Sequence, residues 1–558
     1  MNHENDKKIC FTPAVLVGAV ALGGLLPAAT QAATSWEGDG YKIDWTNSLR
    51  YSAESRLKGR DSKLLSNPNL DDGDQNFSTG LISNRFELFS ELDAVTDSGF
   101  GARVSGIAWY DTVYNRKNDN PGPDGGATPN QTSKDYDEFT TSTRDQQGRQ
   151  AELRDAFVFG RVNLGDTQLS GRLGQHSLVW GESLFFASNA VAGAQSPFDT
   201  TRLIDDPTAE AKEFVLPVPQ VSAQWQLSDS VSVAAYYQFR YVHNRIPSVG
   251  SYFSVSDVVG GGAERLILGP GLAATRESDR DAKDNGQFGL QLHWQVGETD
   301  LGFYALRFHD KDFQQVTVLG MPLPGVVMPT SYYLAYNEDT KLYGFSASRS
   351  FGDLNLAFET SIRKDQALAT TGAVETSALG GASTNNSSHP AYAVGDTAHA
   401  NLSAIWSVPR TPLWNEANLA AEVAWTHLIR CTENCNDHDG QTAALDPNAS
   451  KNATSLRAVF TPMYRQALVG WDISLPMGVG YSPHGSRNIL GPAAVPPEGG
   501  GDLTLGVSGL YMNEWNMTLA VTHFFGGAGT FLDESNAYSY QQARKDRDFV
   551  SFTVRHSF

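Results

Sequence analysis

The stretch that decides the fold is residues 41–54, YKIDWTNSLRYSAE, in which apolar and polar side chains alternate. Successive side chains of a β-strand point to opposite faces, so this stretch has one apolar and one polar face. Residues 287–296, QFGLQLHWQV, and residues 398–408 alternate in the same way. Such runs are about 10–14 residues long, enough to cross a bilayer at a tilt, whereas strands of soluble sandwiches are mostly about 5–6 residues long. The pattern indicates membrane-spanning strands.

The connections between the runs alternate between short and long. The short ones, such as 96–99 and 163–166, contain Gly, Asp and Asn, which suit tight hairpin turns. Counting the runs predicts about 18 strands, an even number that places both termini on the periplasmic side. Hydrocarbon offers no water to the backbone, so the sheet must close on itself. The long connections, expected outside the cell, are 55–80, 116–150, 180–210, 244–285, 310–340, 364–397, 431–455, 482–501 and 526–545.

The prediction is therefore an all-β chain, a transmembrane antiparallel up-and-down β-barrel formed by residues 34–558. Residues 1–33 are expected to be a signal peptide, because Lys7 and Lys8 precede an uncharged run and small residues precede Thr34. A mean hydropathy of −0.33 is too polar for a helical membrane protein. A net charge of −20 in 558 residues argues against binding to nucleic acid.

The ends of the runs carry aromatic residues, as expected for the girdles at the two membrane interfaces. At the C-terminus, alternation continues to a final Phe, which resembles the signal that the barrel-assembly machinery reads in bacterial outer-membrane proteins. His556 departs from that signal, where an aromatic residue is more usual. The predicted signal residues are Phe552, Val554, His556 and Phe558. The predicted girdle residues are Tyr41, Tyr51, Tyr110, Tyr241, Trp294, Tyr343, Trp406, Trp425, Tyr511 and Trp515.

Two small clusters invite a chemical interpretation. Cys431 and Cys435 lie four residues apart in an exported chain, so we expect a small disulfide loop, and metal binding is the weaker alternative. Asp71, Asp72 and Asp74 offer weak calcium ligands without the register of an EF-hand loop. A solvated acidic surface is the preferred interpretation of these three.

Several further stretches of the sequence are distinctive. They are LSGRLGQH at 169–176 with WGES at 180–183, AKE at 211–213 with LPVP at 216–219, YFS at 252–254 with Asp257, FETS at 358–361 and DRDFVS at 546–551. Together they resemble a domain-of-unknown-function family of large outer-membrane proteins, frequent in pseudomonads and related proteobacteria. The resemblance spans nearly the whole mature chain and implies a barrel in the outer membrane, without a substrate. Members tend to be encoded beside a periplasmic partner and an exporter of the resistance-nodulation-division type, which implies envelope transport of amphipathic molecules.

Parity predicts charged side chains on the lumenal face of the first strands and the last one. Facing rows of Arg and carboxylate would orient charged solutes, and the simpler interpretation is that they are ion pairs bracing a polar interior. The predicted ladder contains Asp44, Arg50, Arg85, Glu87, Glu91, Arg103, Asp111, Arg172 and Arg555.

Loop 180–210 is the best candidate for a segment folded into the lumen, because an 18-stranded barrel is otherwise wide enough to leave a channel. Its aromatic and amide side chains could line a site for a partly apolar ligand, and an external cap is the equal alternative. The residues that suggest a constriction are Trp180, Glu182, Phe185, Phe186 and Asn189.

These features favour a conduit for small molecules of amphipathic or organic-acid-like character. The alternatives are a general porin for hydrophilic solutes and a non-conducting scaffold. Neither a G-x-S-x-G nor an H-E-x-x-H motif occurs in the sequence, so we expect no enzyme, and we expect no cofactor. The expected partners are outer-membrane lipid, lipopolysaccharide and the barrel-assembly machinery, with a periplasmic partner and an inner-membrane exporter as the family resemblance implies.

Overall fold

The computed structural model describes residues 34–122, 132–206, 208–435, 444–485 and 495–558, and the predicted signal peptide lies outside them. These residues form a closed antiparallel barrel of 18 strands, which confirms the predicted fold. The strands are β1 (Tyr41–Arg56), β2 (Gly80–Thr96), β3 (Gly101–Asp111), β4 (Arg149–Leu164), β5 (Thr167–His176), β6 (Val218–Ser228), β7 (Val231–Gln238), β8 (Gln287–Val296), β9 (Thr299–Phe308), β10 (Thr340–Phe351), β11 (Leu354–Ala367), β12 (Val394–Val408), β13 (Glu416–Glu433), β14 (Asn452–Leu468), β15 (Trp471–Ser474 with Met477–His484), β16 (Gly501–Tyr511), β17 (Trp515–Phe525) and β18 (Phe549–Ser557).

The barrel closes between β1 and β18. Their register runs from Ser48 opposite Ser557 to Arg56 opposite Phe549. Next to the Ser48–Ser557 pair, the backbone of Phe558 exchanges two hydrogen bonds with Asn47, at 2.8 and 2.9 Å. A short strand, Thr34–Gly38, pairs with the start of β1. Every barrel strand therefore has a partner on each side, which leaves no open edge in hydrocarbon.

The outer face of the barrel is apolar, as the alternation predicts. On β8, Phe288, Leu290, Leu292 and Trp294 are exposed on one face, while Gln287 on the other is buried. In lipid, β-strands can pair all their backbone N–H and C=O groups only in a closed sheet with an apolar exterior. This form places the protein in the bacterial outer membrane.

Most predicted girdle residues are exposed on the outer surface, for example Tyr41, Trp294 and Tyr343. Tyr241 is an exception: it is buried, and its hydroxyl donates to the carbonyl oxygen of Asp310 at 2.7 Å. His556 stacks on Trp515 with ring centroids 4.3 Å apart. The His therefore occupies the aromatic position that the C-terminal pattern requires.

The helices of the described residues are all short, and none of them is long and apolar enough to span a bilayer. They comprise the α-helices Asp72–Gln75, Thr141–Thr143, Thr200–Asp205 and Ala211–Phe214, the π-helical turn Arg144–Gly148 and the 3₁₀ turns Ala187–Asn189, Val191–Ala194 and Ser377–Leu379.

The two ends of the barrel differ, as expected. The periplasmic turns are short, and Met512 and Asn513 both adopt positive φ between β16 and β17. The extracellular loops carry a second sheet of five strands, which the sequence interpretation treated as polar loop. Its strands are Arg265–Gly269, Leu272–Arg276, Gln314–Leu323, Val326–Ala335 and Val374–Glu375. Cys431 and Cys435 are joined by a disulfide at the extracellular end of β13.

Candidate functional site

The segment between β5 and β6, residues 177–217, enters the barrel and is called the inner loop below. Its Asp199 side chain accepts the N–H of Arg202 at 3.2 Å and so caps the helix Thr200–Asp205. Glu213 reaches back to the N–H of Glu210 at 3.0 Å in a capping box at the helix Ala211–Phe214. These local bonds give the inner loop a defined shape rather than an extended one.

Glu422, well inside β13, holds the tip of the inner loop. Its carboxylate accepts the backbone N–H groups of Leu184 at 3.0 Å and Phe186 at 3.1 Å, and that of Phe185 between them. Asn401 on β12 donates to the same carboxylate at 2.7 Å. Three backbone donors converge on one strand carboxylate, which fixes the tip against the wall.

A second carboxylate, Glu359 on β11, holds both sides of the loop. It accepts the N–H of Glu182 at 2.6 Å and that of Val191 at 2.5 Å. Arg363, on the same strand, donates to the carbonyl oxygens of Ser188 and Ala190, each at 2.9 Å. Wall residues of opposite charge thus satisfy donors and acceptors of the loop that would otherwise be buried without partners.

The predicted ladder residue Arg50 binds the other end of the inner loop. Arg50 is 2% exposed and pairs with Asp206 at 2.5 Å and Glu213 at 3.1 Å, as well as with Glu87. Glu87 in turn accepts from Arg202 at 2.6 Å. Arg555 of the neighbouring strand pairs with Glu213 at 3.0 Å and with Glu210. Of the cross-strand ion pairs that the simpler interpretation expected, this group contains Arg50–Glu87, and its other pairs hold the inner loop to the wall.

The remaining ladder residues do not join this network as one row. Arg103 pairs with Asp93 at 2.7 Å and lies 3.7 Å from Glu91. Asp44 pairs with Lys42 at 2.9 Å near the periplasmic end. Arg172 lies over the Phe157 ring at 5.6 Å.

Two ladder residues at the extracellular end stabilise local structure. Asp111 accepts the N–H of Val113 at 2.8 Å, and the Ser83 hydroxyl at 2.6 Å, so it fixes the start of a loop. Arg85 lies 4.0 Å from Asp111 and donates to the carbonyl oxygen of Gln147 at 3.2 Å. The predicted ladder is therefore several local pairings on the lumenal face.

The predicted constriction residues lie inside the lumen, not over its mouth. Trp180 packs edge-on against Tyr236 of β7, with ring centroids 5.2 Å apart. Asn189 donates to Asn401 at 2.8 Å and accepts from Thr426 at 2.7 Å. Phe186 is buried with Ala420 and Ala424 of β13.

Between the inner loop and the residues that face it lies a cavity of about 120 Å³, called the passage below. Apolar and polar side chains both line it. The inner loop contributes Phe185, Phe198, Leu203, Ile204 and Phe214. The facing wall contributes Arg457, Asp502, Thr504 and Thr522, with Arg457 and Asp502 ion-paired at 2.6 Å. A solute in this passage meets a hydrocarbon surface and a row of hydrogen-bonding groups at once.

A smaller cavity of about 40 Å³ adjoins the passage and shares Ser188, Phe198, Asn244 and Asp312 with it. Lys311 and Arg363 line it, and neither forms an ion pair with a carboxylate of the described residues. Lys311 is 5% exposed and donates to Gln287 at 2.7 Å. Burial lowers the pKa of Lys311 to about 7, against the opposing effect of Asp310.

Sequence reasoning missed Glu359, Glu422, Arg363 and Lys311. A single inward-facing Glu on a strand looks like any other lumenal polar residue, because alternation alone does not show what it contacts. One signal was present: Glu359 and Glu213 both lie in the stretches on which the family resemblance rests. Those stretches contain anchors of the inner loop.

The fold and this site define an outer-membrane β-barrel protein with a loop folded into its lumen. The chain belongs to the family described as Protein of unknown function (DUF1302), which matches residues 13–558. This confirms the resemblance stated above. Comparison with curated proteins finds no match.

Among solved structures, Acinetobacter baumannii OccAB1 is 9% identical, covering 95% of this chain and 99% of that one, with a TM-score of 0.42. Pseudomonas aeruginosa OccD3 (OpdP) is 10% identical, covering 97% and 99%, with a TM-score of 0.41. The Acinetobacter baumannii outer membrane channel DcaP is 11% identical, covering 95% and 100%, with a TM-score of 0.36. Likenesses this distant transfer no property to this chain.

Proposed function

We propose that this protein is an outer-membrane channel for small amphipathic molecules, with organic acids as the leading class. The observation that carries the proposal is the passage beside the inner loop, which apolar and polar side chains line together. A purely hydrophilic solute gains nothing from five apolar side chains, whereas an acyl or aryl chain loses its contact with water there.

The preference for acids rests on the cavity beside the passage. Lys311 and Arg363 supply positive charge where an acyl chain lying against Phe198 would place its carboxylate. Asp310 and Asp312 line the same cavity. The Asp310 carboxylate already accepts from Thr340 at 3.1 Å and from the N–H of Ala367 at 3.0 Å. The two cations thus have donors to spare for a solute. A periplasmic partner and an inner-membrane exporter belong to the proposal through the family resemblance alone.

Planar-bilayer recording with octanoate as the probe tests the proposal. We expect a conductance that octanoate reduces in a saturable manner and that acetate leaves unchanged. Leu203→Asn keeps the branched shape of the side chain but makes part of the apolar lining of the passage polar. It should weaken the octanoate effect about tenfold, since burying a Leu side chain is worth about 1.5–3 kcal/mol. Leu379→Asn, the same change in an extracellular loop, is the matched control and should behave as the natural protein.

The alternatives give different records. A steady conductance indifferent to octanoate would support a general porin. Silence in the bilayer, with no octanoate uptake by proteoliposomes, would support a scaffold. Either result would overturn the proposal.

A further inference from the structure

The extracellular loops bring three carboxylates from two different segments into one place. Asp71 and Asp72 lie at the start of a short helix between β1 and β2, and Asp257 lies between β7 and β8. One carboxylate oxygen of each lies within 4.8 Å of those of the other two. The interpretation of residues 71–74 as solvated surface is wrong for Asp72 and Asp74, because both are buried.

Asp74 is not part of this group. Its carboxylate pairs with Arg56 at 2.7 Å and lies 3.8 Å from Arg547. Arg56 also pairs with Asp546 at 3.0 Å, so these two arginines and two aspartates balance one another. In the described part of the chain, no cation forms an ion pair with Asp71, Asp72 or Asp257.

Asp257 gives the second, independent observation. It comes from a different loop, is 0% exposed and reaches the Asp71–Asp72 turn, where one of its oxygens accepts the N–H of Asp72 at 3.0 Å. Its other oxygen, Oδ1, is buried and has no hydrogen-bond partner among the described residues. A buried carboxylate oxygen without a donor is costly unless a ligand satisfies it.

The surrounding donors are few. From the described residues the Asp71 carboxylate accepts only a long bond of 3.4 Å, from the Gln75 amide, and no hydrogen bond reaches the Asp72 carboxylate. Burial raises the pKa of Asp71 and of Asp72 to about 7 and raises the pKa of Asp257 well above its usual value, with repulsion from neighbouring carboxylates adding to the effect. Removal from water without compensating donors is the condition that a bound cation relieves.

We propose that Asp71, Asp72 and Asp257 bind one calcium ion that joins two extracellular loops of the barrel. Oxygen ligands are those that Ca²⁺ prefers, at about 2.3–2.6 Å, so one ion spans oxygens up to about 4.6–5.2 Å apart. Mg²⁺ demands about 2.0–2.1 Å and spans only about 4.2 Å, which suits this set less well. Three carboxylates on loops facing the medium suit an affinity of about 0.1–1 mM, the range of extracellular calcium modules.

The bound ion would join the loop between β1 and β2 to the loop between β7 and β8. Gly73 already packs so closely on the second loop that an added Cβ would lie 2.5 Å from the carbonyl oxygen of Ser254 and 2.7 Å from that of Ser251. The two segments are therefore in contact before any ion binds. Calcium would neutralise the repulsion among the three carboxylates at this contact and so raise the temperature at which the loops separate.

Calcium titration of the full-length barrel, refolded in detergent free of lipopolysaccharide, tests the proposal. We expect one saturable site per chain by isothermal titration calorimetry, a rise in the temperature of heat-induced unfolding with calcium, and binding of magnesium at least tenfold weaker. Asp257→Asn and Asp71→Asn should each weaken calcium binding at least tenfold. Asp281→Asn removes the same charge from an exposed position elsewhere in the loop that carries Asp257, and it should leave binding unchanged.

Asp71→Asn guards the test against misfolding, because Asp71 is the least buried of the three. If Asp257→Asn fails to refold, Asp71→Asn alone decides. No saturable calcium binding to the natural protein, or binding that both folded Asn variants retain, would overturn the proposal.

Discussion

Removal of Glu422 should release the tip of the inner loop. Its carboxylate accepts three consecutive backbone N–H groups, those of Leu184, Phe185 and Phe186. A hydrogen bond to a charged group contributes about 1.5–3 kcal/mol, and bonds that share one acceptor add less than fully. Glu422→Ala should therefore cost roughly 4 kcal/mol of the free energy that holds the tip to the wall. A cost of that size shifts the ratio of seated to displaced loop by about a thousandfold, since about 1.4 kcal/mol is a factor of ten.

Two measurements report this release. Single-channel conductance should rise, because an 18-stranded barrel without its inner loop is wide. Chymotrypsin should cleave after Phe185 or Phe186 in folded Glu422→Ala, whereas in the natural protein both side chains are buried. Glu416→Ala is the matched control on the same strand: its carboxylate pairs with Arg465 at the periplasmic end, away from the loop. Unchanged conductance together with a protected loop in Glu422→Ala would refute the reasoning.

Three further predictions concern the charged residues of the lumen. Arg50→Gln takes from Glu87 and Glu213 one of the two cations that each pairs with, and it leaves Asp206 without its ion-paired cation. It should therefore destabilise the folded barrel by about 3–5 kcal/mol in denaturant unfolding. Lys341→Gln at the exposed pair with Asp365 should cost less than about 1 kcal/mol, and equal losses would contradict the bracing role. The partly exposed side chain of Arg103 faces the lumen, so Arg103→Gln should shift the reversal potential toward cation selectivity without lowering stability. An unchanged reversal potential would show that Arg103 only braces its strand. The pKa of Lys311 is lowered to about 7 by burial, so its positive charge is present below pH 7 and lost above it. Octanoate block should therefore weaken as the pH rises from 6 to 8, and Lys311→Met should abolish this dependence; a dependence that persists would assign it to another group, such as Asp310, whose pKa burial raises to about 6.

The strands were predictable because lipid and lumen impose opposite demands on alternate residues. That demand is local, so residues 41–54 suffice to show it, and the short turns follow from their Gly, Asp and Asn. The position of Phe558 beside Asn47 follows too, since an even strand number brings the two ends of the chain together.

The inner loop was predictable only as a candidate. Its aromatic residues fit a lumenal site and an external cap equally well, because the decisive contacts join Leu184–Phe186 to Glu422 over more than two hundred residues. The extracellular sheet was missed for a related reason. Four of its strands form two local hairpins, but these hairpins join each other and Val374–Glu375 across long loops. The sheet that they build together is therefore not visible in any one stretch of sequence.

Of the three proposed calcium ligands, sequence reasoning could find two but not the third. Asp71 and Asp72 are visible as an acidic pair, whereas Asp257, which brings the buried oxygen, is distant in sequence and becomes a neighbour only through the barrel. Sequence patterns therefore predicted the strands of the barrel, whereas the contacts of the inner loop and of Asp257 became visible only in the structure.

Chemical crosslinking within the native outer membrane tests most directly whether the inner loop is seated in the lumen. The Asn189 amide lies 2.8 Å from the side-chain oxygen of Asn401 on β12. With Cys at both positions, a short thiol-specific crosslinker applied to whole cells should join the two residues within one chain, and a Cys at Asn189 paired with one at Leu379 should not crosslink. Absence of the first crosslink, with both cysteines freely labelled from outside, would contradict a loop that narrows the barrel from within.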